Sequence, residues 1–292
     1  MPAIIDIVLP TFIVIFIGYL FGRFSKTDIS PVVDINLYIG VPALVFVSLV
    51  NVELVLLDAA KIWGAALIIM LGCLLVARLV FMLLRQKHSG LYMAIALMNT
   101  ANIPFPIMYL AYGAEGLAAA TLFIIPNVIL MFTYGIYVMA GSQWKANIKE
   151  VLIQPTLYAS IIGLVLSLTH VKVPGLILDS LDFIGLMAIP LALLVLGYNL
   201  SRVRMTSLPT TLLASVLRVG VGLLIGILVA GALNITGIPR SVVILDSAMP
   251  AAVTVAILAT RYDNEAGLVS SVVFLTTLAS LVVVPFLLKM LA

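Results

Sequence analysis

Charge is what this sequence has least of. Asp, Glu, Lys and Arg together make up 9% of its 292 residues. Soluble domains carry roughly a quarter of their residues charged, so a water-solvated surface is excluded. The one cysteine, Cys73, lies in an apolar run and rules out a disulfide framework or a cysteine-built metal site. The two histidines, His88 and His170, fall in loops, and neither an HExxH zinc motif nor a phosphate-cradling GxxxxGK[ST] loop occurs. Nucleotide-driven work and cofactor chemistry within this chain are therefore not expected. An intramembrane enzyme would need a base or a ligand set at depth, and none is evident. The basic residues give a net charge of only +3 and are scattered, which leaves no footprint for nucleic acid.

What the sequence does have is apolar length. Hydrophobic residues reach 64% and the mean hydropathy is +1.29, values that suit a chain solvated by lipid. A spanning helix needs about 20 apolar residues. Ten such runs occur, at 3–22, 33–51, 61–84, 90–111, 117–140, 152–169, 181–200, 209–233, 240–260 and 267–291. Arg23 and Lys26 follow the first run instead of preceding it, the reverse of a cleavable signal, so it reads as a retained helix. Loops after odd-numbered runs hold Arg23, Lys26, Arg85, Lys87, Lys145, Lys149, Arg202, Arg204 and Arg261. The other side holds Lys61, Lys172, Arg240 and Lys289. Basic residues favour the cytoplasmic side, which predicts a multi-pass protein of the cell (inner) membrane with both termini outward.

The two halves resemble each other. Val41-Pro42-Ala43-Leu44 matches Ile189-Pro190-Leu191-Ala192, and Pro104 matches Pro250. Tyr112-Gly113-Ala114-Glu115-Gly116-Leu117 matches Tyr262-Asp263-Asn264-Glu265-Ala266-Gly267-Leu268 at a similar offset. Such self-similarity predicts two repeats, 1–146 and 147–292. Five spans per repeat force the second copy to insert upside down, a plan common in alternating-access transporters. The expected fold is thus an all-α membrane protein of ten transmembrane helices in two inverted five-helix repeats.

Two spans are interrupted at matching places. The fourth reads Met98-Asn99-Thr100-Ala101-Asn102-Ile103-Pro104-Phe105-Pro106, and the ninth reads Leu245-Asp246-Ser247-Ala248-Met249-Pro250-Ala251. Proline removes a backbone donor and clashes with the preceding turn. Non-helical backbone at membrane depth survives only against protein or a water-filled cavity. Each new helix N-terminus offers unpaired N–H groups and partial positive charge, so two meeting at the midplane form an anion site. Asn99, Thr100, Asn102, Pro104, Ser247 and Pro250 are the candidate binding residues, with Asn127 of the fifth span within reach. The alternative is a pair of simple proline kinks.

Asp246 lies near the ninth-span break and Arg218 lies within the eighth span. A charge at that depth costs at least ~2.5 kcal/mol, so these two are the coupling candidates: Asp246 as a proton carrier, Arg218 as its partner or a substrate counter-charge. An interfacial Asp246 and a snorkelling Arg218 are the bland alternatives. Asp6, Asp34 and Arg78 fall near span ends, and Asn199 is a neutral polar group at depth.

These residues resemble the auxin efflux carrier family, including its bacterial auxin-carrier-like and malonate-type permeases. The matching stretches are Leu9-Pro10 to Gly18-Tyr19-Leu20, Asn36 to Val41-Pro42-Ala43-Leu44-Val45-Phe46, and Asn99-Thr100-Ala101-Asn102-Ile103-Pro104. They continue through Tyr112-Gly113 to Gly116-Leu117, Asn127 with Gly135, and Met249-Pro250-Ala251-Ala252 through Tyr262 to Pro285. The resemblance implies crossed, broken helices 4 and 9. It also implies a scaffold and dimer side of helices 1, 2, 6 and 7 and a mobile domain of helices 3–5 and 8–10 working as an elevator. It assigns a substrate carboxylate to asparagines of helices 4 and 5, here Asn102, Asn99 and Asn127. The long cytoplasmic loop of many plant members is missing, and Asp246 departs from the family pattern. The expectation is a secondary transporter of a small organic anion, coupled to protons, sodium or the membrane potential and assembled as a homodimer. A bile-acid-like symporter or cation/proton exchanger competes, although its paired acidic residues are missing. A non-transporting sensor remains a further alternative.

Overall fold

The computed structural model describes residues 4–53, 55–140 and 153–291. The expected repeat boundary at 146/147, the loop residues Lys145 and Lys149, the first position of the sixth expected span and both chain ends lie outside the described residues. Among the described residues the protein is all helix, and the one extended pairing is an isolated antiparallel bridge between Met98 and Ala251.

The chain runs through α1 (Ile4–Phe24), α2 (Ser30–Val50), α3 (Leu56–Leu83), α4 (Ser89–Ala96) and α5 (Pro104–Ala140). It continues through α6 (Pro155–Thr169), α7 (Gly175–Ser201), α8 (Leu208–Ala232), α9 (Gly237–Ser247), α10 (Val253–Arg261) and α11 (Ala266–Leu291). Proline stands in the first turn of α2, α5, α6 and α8, where its missing N–H leaves no helical bond unmade. Seven of these helices, α1, α2, α3, α5, α7, α8 and α11, are long and apolar enough to cross a membrane. Gly113 breaks α5 with φ 65° and ψ −151°, a conformation that side chains other than glycine's rarely adopt. Residues 104–112 therefore form a short helix distinct from the rest of α5.

Large apolar side chains cover the outside: Phe16, Phe24, Leu75, Phe183, Val282 and Phe286 are all exposed. In water such a surface would aggregate; in a bilayer it is the solvated face. Association of helices there depends on close packing more than on the hydrophobic effect, which favours small residues at contacts. The α1–α7 contact is built this way. A Cβ added at Gly197 would stand 1.9 Å from the Ile15 carbonyl oxygen, and one at Gly18 would stand 2.2 Å from that of Leu194. The two backbones touch. α2 packs on α6 and on the first half of α7, with Gly163 and Gly185 at those contacts. α3, α5, α8 and α11 surround α9, whose residues from Ser241 to Ser247 are all buried.

Candidate functional site

α4 ends at Ala96 and α9 ends at Ser247, each after two to three turns, and the chain then runs irregularly to the next helix. The two irregular segments bond to each other. The Asn99 amide donates to the Pro250 carbonyl at 2.8 Å, and the Ala252 amide donates to the Leu97 carbonyl at 3.1 Å. The Ala251 amide donates to the buried Thr276 hydroxyl of α11 at 3.1 Å. Backbone groups that prolines and helix ends would leave bare are thus answered across the crossing.

The polar side chains gather around it. Asn127 of α5 donates from Nδ2 to the Met98 carbonyl at 2.6 Å and to the Thr100 hydroxyl at 3.1 Å. Asn99 Oδ1 accepts from the Asn102 amide at 3.0 Å, closing a local turn before Pro104 opens α5. On these two asparagines, Asn99 Nδ2, a donor, and Asn127 Oδ1, an acceptor, are buried without a partner among the described residues. The Met98 carbonyl needs the Asn127 NH₂ group, which fixes that amide's orientation. The amides of Val253 and Thr254, opening α10, find no acceptor among the described residues. Asn102 keeps a half-buried side chain, and Pro250 contributes its carbonyl. The Ser247 hydroxyl turns back onto the Ile244 carbonyl at 2.7 Å and lies against Gly226 of α8, so the crossing does not receive it as a donor.

The two charged candidates do not meet. Asp246 is 0% exposed, and neither carboxyl oxygen has a partner among the described residues. It is deep in the protein, not at a wet boundary. Arg218 is also 0% exposed, with no carboxylate paired to it among the described residues. Its Nη1 donates to the carbonyls of Ile95, at 2.8 Å, and Ala96, at 3.3 Å, and its Nη2 donates to the Ser247 carbonyl. The guanidinium thus bridges the C-terminal ends of α4 and α9. It projects from a widened turn of α8, Leu217–Val221, and Gly222 leaves room for it: a Cβ there would stand 2.2 Å from Nη2.

Two cavities flank this core, of opposite character. One of 430 Å³ lies between the end of α7, α10 and α11; Val253, Ala256 and Thr260 line it, with Arg202 and Arg204 at its rim. The other, of 680 Å³, is lined by Glu53, Asp58 and Glu115 together with Ile238 and Pro239 at the start of α9. The basic cavity thus reaches the first turn of α10, where the two unanswered amides are.

Several contributors were not among the expected site residues. Asn264 accepts from the Ser89 hydroxyl at 2.9 Å and the Gly90 amide at 3.1 Å, and so caps α4 from across the molecule. Glu265 accepts from the Leu91 amide and pairs with His88. Thr276 is one of many hydroxyls in apolar helices, and nothing in its neighbours marks it. The spacing of Arg218, Gly222 and Gly226, one helical face with two gaps, was the readable clue to a guanidinium lying along α8.

The chain matches the family model described as membrane transport protein over residues 3–151 and 144–288. It is 28% identical over 296 residues to an uncharacterized transporter of Methanocaldococcus jannaschii, covering 96% of each chain. It is 26% identical over 292 residues to an uncharacterized transporter of Methanothermobacter thermautotrophicus, again covering 96% of each. An all-helical, multi-pass membrane chain with interrupted helices bonded at its centre and a match running from end to end belongs to the membrane transport protein family, which includes the auxin efflux carriers.

Proposed function

We propose that the protein is a secondary active transporter of a small organic anion, a carboxylate above all, working by alternating access. The observation that carries this reading is a buried, unanswered donor, Asn99 Nδ2, close to the open first turn of α10. Asn99 Nδ2 has no partner among the described residues, and the half-buried Val253 and Thr254 open α10 a few residues beyond Pro250, to which the Asn99 amide bonds. A buried donor without a partner is costly, so a ligand that brings an acceptor is the natural complement of Asn99 Nδ2. The start of α10 adds partial positive charge to the same place.

In this reading α4 with residues 104–112, and α9 with α10, are two interrupted spans. With the other helices they make ten, in two inverted repeats. The α1, α2, α6 and α7 group, held by touching backbones, serves as the scaffold and dimer side. The helices around α9 move as an elevator. The basic cavity faces the cytoplasm and both termini face outward. Asp246 is the proton-coupling candidate: loading a proton removes the cost of burying a charge that has no partner. A sodium- or proton-coupled bile-acid-like symporter or cation exchanger would want more than one carboxylate at the crossing, and among the described residues Asp246 is the one buried there.

The test is uptake of labelled mono- and dicarboxylates into proteoliposomes under imposed pH and voltage gradients. Saturable uptake by the wild type, reduced tenfold or more in affinity by Asn99→Ala, is expected; that factor corresponds to about 1.4 kcal/mol, within reach of one hydrogen bond to a charged group. Uptake of organic cations in place of every anion would refute the reading.

A further inference from the structure

We propose that Arg218 is a tethered cation that takes the place a free monovalent cation would otherwise fill between the two half-helix C-termini, and so sets the crossing's charge. Each helix terminus carries roughly half an elementary charge, negative at the C-terminal end and positive at the N-terminal end. The crossing brings together two of each: the ends of α4 and α9, and the starts of α5 and α10. Without Arg218 these sum to about zero, with a negative pole of about one charge where the Ile95, Ala96 and Ser247 carbonyls converge. Such converging carbonyls at broken helices are how many transporters hold a coupling sodium ion. Here the three carbonyls are taken by one guanidinium.

The arginine is built in. Among the described residues it is the largest fully buried side chain and has no acidic partner, and the Cys73 thiol lies beside it. Gly222 leaves the gap through which it reaches Ser247. With the negative pole neutralised from within and Asp246 carrying its proton, the two helix N-termini are left with about one uncompensated positive charge. The crossing then favours a monovalent anion and needs no sodium. That last consequence rests on the anion-carrier reading, whereas the neutralisation itself rests on geometry alone. Arg218 is on this account a positioning residue that decides the sign of the ion accepted.

The experiment uses purified full-length protein with choline chloride as the sole salt. Wild type is expected to show no saturable binding of ²²Na⁺ in equilibrium dialysis, and no change in melting temperature when sodium or potassium replaces choline. Arg218→Ala is expected to melt about 10 °C lower, to recover with millimolar methylguanidinium, and to acquire saturable ²²Na⁺ binding. That gain is something a purely structural residue would not give. Arg218→Lys keeps the charge and should stay indifferent to sodium. Saturable ²²Na⁺ binding by wild type overturns the proposal. So does an Arg218→Ala protein that folds yet responds to neither cation. If the alanine variant is lost during purification, sodium sensitivity in Arg218→Lys overturns it instead. Failure of every anion to enter wild-type proteoliposomes, with the binding results as expected, would refute the carrier reading and leave the tethered cation standing.

Discussion

Replacing Asn127 by alanine separates holding the crossing from holding the substrate. Sequence reasoning makes Asn127 a ligand for the anion, so its loss should lower affinity and leave the fold alone. The structure gives it another task. Its NH₂ group donates at 2.6 Å to the Met98 carbonyl and at 3.1 Å to the Thr100 hydroxyl, pinning both ends of the irregular segment that bonds to Pro250. Two net hydrogen bonds are worth about 1 kcal/mol each, and the Met98 carbonyl would be left unanswered in a dry site. Removing the unpartnered Oδ1 returns part of that, so the expected loss is about 2 kcal/mol. For a chain of this size that lowers the melting temperature by roughly 4–8 °C. Asn127→Leu, which keeps much of the shape but cannot donate, should melt at least as early. The assay is thermal unfolding of purified protein in detergent, followed by anion binding on the surviving fold. A melting temperature within about 1 °C of wild type would refute the reasoning, and a loss of affinity at unchanged stability would return Asn127 to the role of a simple ligand.

Three other outcomes are expected. Gly197→Ala should destabilise the α1–α7 contact by about 1–3 kcal/mol or more, because the new methyl must displace the Ile15 carbonyl; unchanged melting would show that the two backbones separate freely. Asp246→Asn should keep the fold, since no hydrogen bond is lost. It should abolish accumulation driven by a pH gradient while retaining exchange of substrate for substrate, and persistent pH-driven accumulation would remove Asp246 from coupling. A reporter active only in the cytoplasm, fused after Ala292, should stay silent; a strong signal would overturn the topology.

The sequence made the breaks legible because proline writes them in residue types: Pro104 and Pro106 open the helix that follows the first irregular segment, Pro250 lies within the second, and Asn99 and Asn127 mark polar groups at depth. The bonds that make one site of the two breaks were not legible. They run between backbone atoms, as from Asn99 to Pro250, and a backbone carbonyl has no letter. Arg218 shows the same limit. Its type and depth announced a charge needing compensation, and reasoning from side chains offered Asp246 as the partner. The compensation comes from the carbonyls of Ile95, Ala96 and Ser247, and Asp246 stands apart. Ser247 was legible as a polar residue at the break, but its carbonyl faces the guanidinium while its hydroxyl bonds within α9. Gly113 was legible as part of a repeated loop, not as the point where a long helix turns.

The pairing of Leu97 with Ala252 and of Asn99 with Pro250 has a consequence for how the chain is made. The first irregular segment enters the membrane while its partner, half the chain away, is still unsynthesised. Until that partner arrives, the Asn99 amide and the Leu97 carbonyl must be hydrated or held by the insertion machinery, because lipid offers them nothing. A truncated chain ending before α9 would leave those groups permanently unmet. Cellular quality control then has a built-in mark of incomplete synthesis: the first half is recognisably unfinished until the second half is inserted against it.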